Sequence, residues 1–154
     1  FPYTTLFRSK GLKNFTELRR VSISIFLQVF IIECVFAMVF ILLKDFLPMV
    51  YIDNVMVVNT AASLLLIAGL FQLSDGFQVV VLGALRGLQD VKIPTYITFI
   101  AYWIVGFPTS YVLGKVLGYG SQGIWIGLLA GLTVSAILLY WRFNYLTRKL
   151  IDSE

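Results

Sequence analysis

The stretch 55–85, VMVVNTAASLLLIAGLFQLSDGFQVVVLGAL, decides the fold of this chain, because its 31 residues carry a single charge, the carboxylate of Asp75. At about 1.5 Å per residue, a helix of this length more than spans a bilayer core of about 30 Å. A carboxylate inside an apolar helix costs about 2.5–3.5 kcal/mol, so such residues usually handle an ion, a proton or a polar substrate. The alternative is a carboxylate that a neighbouring helix neutralises for packing alone.

The composition indicates a protein of the lipid bilayer. Of 154 residues, 59% are hydrophobic and 13% are charged, against about 25% charged in soluble domains, and the mean hydropathy is +0.89. The sequence has no His and one Cys, Cys34, which excludes an internal disulfide, a Cys/His zinc site and a His-based triad. The sequence shows neither a nucleophile–base pair nor a cluster of metal ligands, so it gives no indication of an enzyme or of a bound cofactor. The net charge of +4 does not indicate nucleic-acid binding, because basic residues in a membrane protein first report topology.

Four hydrophobic spans predict an all-α, polytopic fold. They cover Val21–Leu43, Val55–Leu85, Ile93–Gly114 and Gly123–Trp141. The run Asn14-Phe15-Thr16-Glu17 has the spacing of a capping box, so we expect the first helix to begin about one turn before its span. Asp53 or Asn54 can cap the second span. Gly106 and Pro108 predict a kink near the middle of the third span.

Two series of glycines predict faces where helices approach closely. One series recurs every seven residues in the second span, and the other recurs every four residues in the fourth. Their members are Gly69, Gly76 and Gly83, and Gly123, Gly127 and Gly131. Small residues on one face allow two membrane helices to come into close contact. Both series therefore predict packing and not chemistry.

The basic residues predict the orientation of the chain. With four spans, both termini and the second loop, Arg86–Lys92, lie on one side of the membrane. When residues 1–9 are left out, that side holds nine basic residues, Lys10, Lys13, Arg19, Arg20, Arg86, Lys92, Arg142, Arg148 and Lys149, and the other holds only Lys44 and Lys115. Because basic residues concentrate in cytoplasmic loops, we expect both ends and the second loop to be cytoplasmic.

Residues 1–9 resemble the translation of a widely used DNA-sequencing adapter, in particular the run Pro2-Tyr3-Thr4-Thr5-Leu6-Phe7-Arg8-Ser9. We therefore expect this segment to be non-native and the natural sequence to be 10–154, as the C-terminal part of a longer protein. The alternative is a genuine cytoplasmic segment.

The polar residues around Asp75 predict a cation site. Gln72 and Gln78 lie three residues to either side, so helical geometry brings both amides near the carboxylate. A carboxylate with amide oxygens and water offers hard ligands for Na⁺, or a protonatable site for H⁺. These residues do not choose between the two ions. The alternative role for the glutamines is hydrogen bonding between helices.

Three other residues are weaker candidates. Glu33 is the second acid within a span, and it can belong to a proton or cation relay, line a substrate path, or pair with a polar group elsewhere. Gln28, five residues earlier, is a further candidate ligand. Arg86 ends the second span, where it can extend to the lipid headgroups or hold a gating contact between helices.

Four motifs occur in order within the stretch from about Phe71 to Tyr145. They are Phe71-Gln72-x-x-Asp75, Gly83-Ala84-Leu85-Arg86-Gly87-x-x-Asp90, Tyr102-Trp103-x-x-Gly106-x-Pro108 and Gly123-Ile124-Trp125-x-Gly127-x-x-x-Gly131-Leu132. Together they resemble the C-terminal part of the multidrug and toxic compound extrusion (MATE) transporters, and most closely the NorM-like bacterial branch.

The resemblance implies a twelve-helix antiporter of the bacterial inner membrane, built from two six-helix lobes, with this chain supplying four helices of the C-terminal lobe. Its partners would be the missing N-terminal helices and small-molecule drugs, which the family exports in exchange for Na⁺ or H⁺. In NorM-like members the acid that matches Asp75 belongs to the coupling-cation site. The other acid expected there lies on an earlier helix that is absent from this sequence, and Glu33 has no assigned counterpart.

Two other readings remain open. One is a related transporter, either a flippase of lipid-linked sugars or a self-contained four-helix exporter that uses Glu33. A flippase would carry more cationic residues in its spans. The other is a membrane anchor or assembly subunit that transports nothing, which would need no acid within the membrane such as Asp75.

Overall fold

A computed structural model describes residues 14–153, and every regular element in that range is helical. We number the helices α1 (Phe15–Leu43), α2 (Phe46–Met49), α3 (Val55–Gly87), α4 (Lys92–Val116) and α5 (Gly120–Ile151). All but the short α2 are long and apolar enough to cross a membrane. The predicted all-α, four-span architecture is confirmed. The predicted adapter segment, Lys10 and Lys13 lie outside the described residues.

The helix starts follow from side-chain caps. Asn14 Oδ1 accepts a hydrogen bond from the backbone N–H of Glu17 at 3.1 Å, and Asn14 Nδ2 donates to Glu17 Oε2 at 3.0 Å. The first helix therefore begins at Phe15, as the capping-box spacing predicted. At α3, Asn54 is the capping residue, and its Oδ1 accepts from Met56 N at 3.0 Å.

Helix α5 is longer than the fourth hydrophobic span. The span ends at Trp141, whereas the helix continues for ten further residues to Ile151. Phe143 and Thr147 are fully buried in this extension, and they lie four residues apart, on one face of the helix. Hydropathy falls at the first charged residues, whereas the helix continues because this face still packs against the other helices.

Helix α4 is irregular at the place where a kink was expected. Its α-helical turns are interrupted by two π-helical segments, Ala101–Gly106 and Val112–Val116. Pro108 has no N–H, and in a regular helix its ring would clash with the carbonyl four residues earlier. A π turn immediately before the proline accommodates the missing i→i−4 bond.

The glycine faces make the close contacts that were predicted. Cβ atoms built on Gly123 and Gly131 of α5 would lie 2.6 Å from the carbonyl carbon of Leu113 and 2.7 Å from Cα of Gly106, both on α4, and one built on Gly127 would overlap the backbone of Ser110. On α3, Gly69 faces Ala37 and Gly76 faces Glu33, both on α1, and Gly83 is buried. Helix α3 thus packs between α1 and α5, and α5 packs against α4.

The main hydrophobic core lies at one end of the bundle, where α1 begins and α3 and α5 end. It includes Leu18, Phe26, Val81, Ala84, Leu85, Leu88, Leu139 and Phe143. Polar contacts tie the same end together: Arg142 Nε donates to Asp90 Oδ2 at 2.8 Å, and Arg19 Nη2 donates to Asn144 Oδ1 at 3.2 Å. The termini of the described chain and its second loop therefore lie at the same end.

Candidate functional site

Asp75 lies on a face of α3 that the other described helices leave open. The preceding residue, Ser74, contacts α5, where its Oγ lies 3.2 Å from Thr133 Oγ1. The following residue, Gly76, contacts Glu33 on α1. Because successive residues are about 100° apart around a helix, Asp75 points between these two contacts and away from the packed side. Its side chain is accordingly exposed in the described part of the chain, and not buried between the four long helices.

Gln78 joins this turn of α3 to α4. Its side chain is only 8% exposed, and its Oε1 accepts a hydrogen bond from the hydroxyl of Tyr102 at 3.3 Å. Tyr102 belongs to the first π-helical segment of α4. Gln72, on the other side of Asp75, is partly buried. The three residues predicted as one site therefore occupy adjacent turns, with Gln78 directed towards α4.

Glu33 reaches the same turn of α3 from α1. A Cβ on Gly76 would lie 2.6 Å from Glu33 Cδ and 2.8 Å from Glu33 Cγ, so the glutamate side chain occupies the space that a residue larger than glycine would fill. Glu33 Oε2 is buried and has no hydrogen-bond partner among residues 14–153. The two acids within the spans thus approach one turn of α3, Asp75 as part of the turn and Glu33 against the glycine that follows it.

The remaining predicted residues lie elsewhere on the molecule. Gln28 is exposed on α1. Arg86 is exposed in the last turn of α3, where it lines a groove of about 380 Å³ together with residues of α4 that include Thr95, Thr98 and Trp103. The structure does not bring either residue into contact with the turn at Asp75 through any hydrogen bond or ion pair recorded for the described chain.

The side chains around Asp75 differ from one another in charge but share oxygen as a polar atom. Their oxygen atoms are carboxylate, amide and hydroxyl oxygens, which suit alkali cations, water and protons better than soft metals. Among residues 14–153 no group of three or more His, Cys, Asp or Glu side chains could hold a metal ion.

Sequence reasoning missed Tyr102 and the pair Ser74–Thr133 as parts of this site. Tyr102 was noted only within a motif, although a tyrosine in the interior of an apolar span requires a partner for its hydroxyl. The contact between Glu33 and Gly76 was also missed, because it depends on how α1 and α3 align along their axes.

Comparison with known proteins identifies the family. The family model described as MatE matches residues 7–112. The chain belongs to this family.

The chain is similar to bacterial MATE proteins of the MdtK and NorM type, as its motifs indicated. It is 43% identical over 119 residues to the multidrug resistance protein MdtK of Photorhabdus laumondii, which covers 75% of this chain and 26% of that protein. It is 50% identical over 98 residues to the multidrug resistance protein NorM of Burkholderia vietnamiensis, which covers 64% of this chain and 21% of that protein. The chain thus spans about a quarter of the length of the relatives it matches.

Solved MATE structures share the fold. The eukaryotic MATE transporter AtDTX14 superposes with a TM-score of 0.84 at 20% identity, covering 99% of this chain and 35% of that one. An inward-facing multidrug resistance MATE family transporter superposes with a TM-score of 0.85 at 16% identity, covering 99% and 36%. The arrangement of the long helices is therefore that of a MATE transporter, and the chain is a multi-pass protein of a lipid bilayer.

Proposed function

We propose that this chain is part of a multidrug efflux antiporter that exports drugs or organic cations in exchange for Na⁺ or H⁺. The observation that carries the proposal is the position of Asp75. Its carboxylate is the one charge of a 31-residue apolar stretch, and it lies on the open face of α3 and not in the packed core. A charge held there at a cost to insertion is consistent with a residue that binds an ion during transport.

In this proposal Asp75 binds the coupling ion, and Gln72 and Gln78 supply amide oxygens. Glu33 and Gln28 contribute to an ion relay or a substrate path, and Arg86 makes a gating contact. The four long helices belong to the C-terminal lobe of a twelve-helix transporter, so helices outside this sequence would cover the open face of α3. The names of the relatives, which describe multidrug resistance proteins, support the substrate class.

The orientation is also proposed, with both ends of the chain and the second loop in the cytoplasm of a bacterium. Single cysteines can test it in a Cys34→Ala background, using an impermeant thiol reagent on intact cells. A cysteine at Gly118 should be labelled and one at Asp90 should not. The opposite pattern would show that the basic end faces outwards.

The substitution Asp75→Asn tests the role of the carboxylate in the full-length transporter. Asparagine is nearly isosteric, but it holds no negative charge and takes up no proton at neutral pH. The variant should insert normally, and its dye efflux, normalised to the amount of inserted protein, should be abolished. Asp75→Glu should keep part of the activity, because the charge remains while its position moves.

Asp53→Asn is the matched control, since Asp53 is an exposed acid just before the same helix; efflux should be unchanged. One outcome for Asp75→Asn would count against the proposal. If Asp75→Asn lowers the amount of protein but leaves efflux per molecule intact, Asp75 is a packing partner and not an ion site.

A further inference from the structure

The hydroxyl of Tyr102 donates a hydrogen bond to the amide oxygen that Gln78 would offer to a coupling cation. Gln78 Oε1 accepts the Tyr102 hydrogen bond, and the same oxygen is the one that Gln78 would offer to a cation at Asp75. Gln78 is buried towards α4, whereas Asp75 is exposed on the open face of α3. The amide must therefore turn out of the contact between α3 and α4 to reach a cation beside Asp75.

The Tyr102–Gln78 bond has the properties of a contact that can be exchanged. At 3.3 Å it is longer than the usual O–H···O distance of about 2.7–2.8 Å, which makes it weak. A buried amide oxygen nevertheless requires a partner. The oxygen has two lone pairs, so the competition is one of direction: an amide that Tyr102 holds towards α4 is turned away from the open face on which Asp75 lies.

Breaking the Tyr102–Gln78 bond would act on an irregular part of α4. Tyr102 is part of the π-helical segment Ala101–Gly106, and isolated π segments within helices are frequent at functional sites. The end of this segment, Gly106, is in close backbone contact with Gly131 of α5. The Tyr102–Gln78 bond joins α3 to α4 through side chains, whereas most of the packing of α4 is against α5. Its loss would therefore leave α4 held mainly by α5.

We propose that Tyr102 is a positioning residue that competes with the coupling cation for Gln78 Oε1, so that cation binding releases α4 from α3. This inference rests on the proposed role of Asp75 and commits to a metal cation such as Na⁺, because a proton on the carboxylate needs no second oxygen ligand. A ligand shifts a conformational equilibrium only through its different affinity for the two states. Here the difference is the hydrogen bond that must break.

The test is Tyr102→Phe in the full-length transporter, with binding of radioactive Na⁺ measured on purified protein and corrected for binding to Asp75→Asn. Removing the competing hydroxyl should lower the half-saturating Na⁺ concentration about 2- to 10-fold, the factor that corresponds to one net hydrogen bond. Drug efflux at saturating Na⁺ should fall, since binding no longer releases α4. A merely structural loss would weaken binding instead of strengthening it.

Tyr111→Phe is the matched control, the same substitution at an exposed tyrosine of α4; Na⁺ binding and efflux should stay as in the wild type. Gln78→Leu removes the bond from its other partner. It should raise the half-saturating Na⁺ concentration, and adding Tyr102→Phe to it should have no further effect.

Three results would overturn the inference. They are an unchanged or higher half-saturating Na⁺ concentration in Tyr102→Phe, a full effect of that substitution in the Gln78→Leu background, and a wild-type transporter that does not bind Na⁺. None of them decides the proposed function, because abolished efflux in Asp75→Asn remains compatible with H⁺ coupling. Retained efflux in Asp75→Asn would refute the proposed function itself.

Discussion

The contact between Gly106 of α4 and Gly131 of α5 should tolerate a methyl group from one side only. A Cβ built on Gly131 would lie 2.7 Å from Gly106 Cα and 3.0 Å from Gly106 N, whereas one built on Gly106 would lie 3.5 Å from Gly131 Cα. The first is a collision with backbone, which cannot move without moving the helix. The second is an ordinary van der Waals contact.

The magnitude follows from the difference between the two alanine variants. Gly131→Ala requires α4 and α5 to separate by about 0.7 Å, from 2.7 Å to the 3.4 Å of an ordinary contact, and overpacking of this kind costs about 1–3 kcal/mol. Both variants gain about 0.8–1.0 kcal/mol of helix propensity. Because that gain is common to both, Gly131→Ala should be less stable than Gly106→Ala by about 1–3 kcal/mol.

Reversible unfolding of the purified full-length protein in detergent measures this difference, with wild type as the reference. Gly106→Ala should match or exceed wild type, and Gly131→Ala should fall below Gly106→Ala. Equal stability of the two variants within about 0.5 kcal/mol, the range of inconsequential substitutions, would refute the reasoning. So would a lower stability for Gly106→Ala.

Two further predictions concern α3 and its neighbours. Gly76→Ala should leave the amount of inserted protein unchanged, because its Cβ meets the flexible end of the Glu33 side chain, which can move aside. If Glu33 takes part in transport, Gly76→Ala should lower efflux. Adding Gly76→Ala to Glu33→Ala should then lower efflux no further. The ion pair of Asp90 and Arg142, with side chains 13% and 21% exposed, should stabilise the core end of the bundle. Asp90→Asn and Arg142→Met should each lower the unfolding free energy by about 1.5–3 kcal/mol, and the double variant should lose less than the sum; additive losses in chemical denaturation would contradict a direct coupling.

The sequence was sufficient for features that depend on neighbouring residues. The cap at Asn14 and the close-packing faces at Gly123 and Gly131 follow from local geometry and residue size, and the structure confirms them. The end of α5 cannot be read from hydropathy, because hydropathy reports the apolar thickness of the membrane and not the length of the helix. Only the packing of Phe143 and Thr147 against the other helices shows why the helix continues to Ile151.

The candidate site was predictable only in part, for a similar reason. Asp75, Gln72 and Gln78 are visible as polar residues at helical spacing in an apolar stretch. The partner of Gln78 and the location of Glu33 depend on how α4 and α1 align with α3 along the membrane, which no pattern within one helix reveals. Gly76 is instructive, because it was predicted as a packing glycine and does pack, but against a carboxylate.

The small size of Gly76 has an electrostatic consequence for the site. It allows the Glu33 side chain to lie against Gly76, the residue that follows Asp75. Glu33 Oε2 is buried there and has no hydrogen-bond partner among the described residues. Two carboxylates near one turn in a medium of low dielectric constant are costly when both are charged. In the proposed function, a cation bound at this turn would reduce that cost. If the two acids act together, Glu33→Gln should weaken cation binding in the wild type and have a smaller effect in a Gly76→Ala background, where the added methyl group displaces the Glu33 side chain. Equal effects in both backgrounds would contradict a joint action.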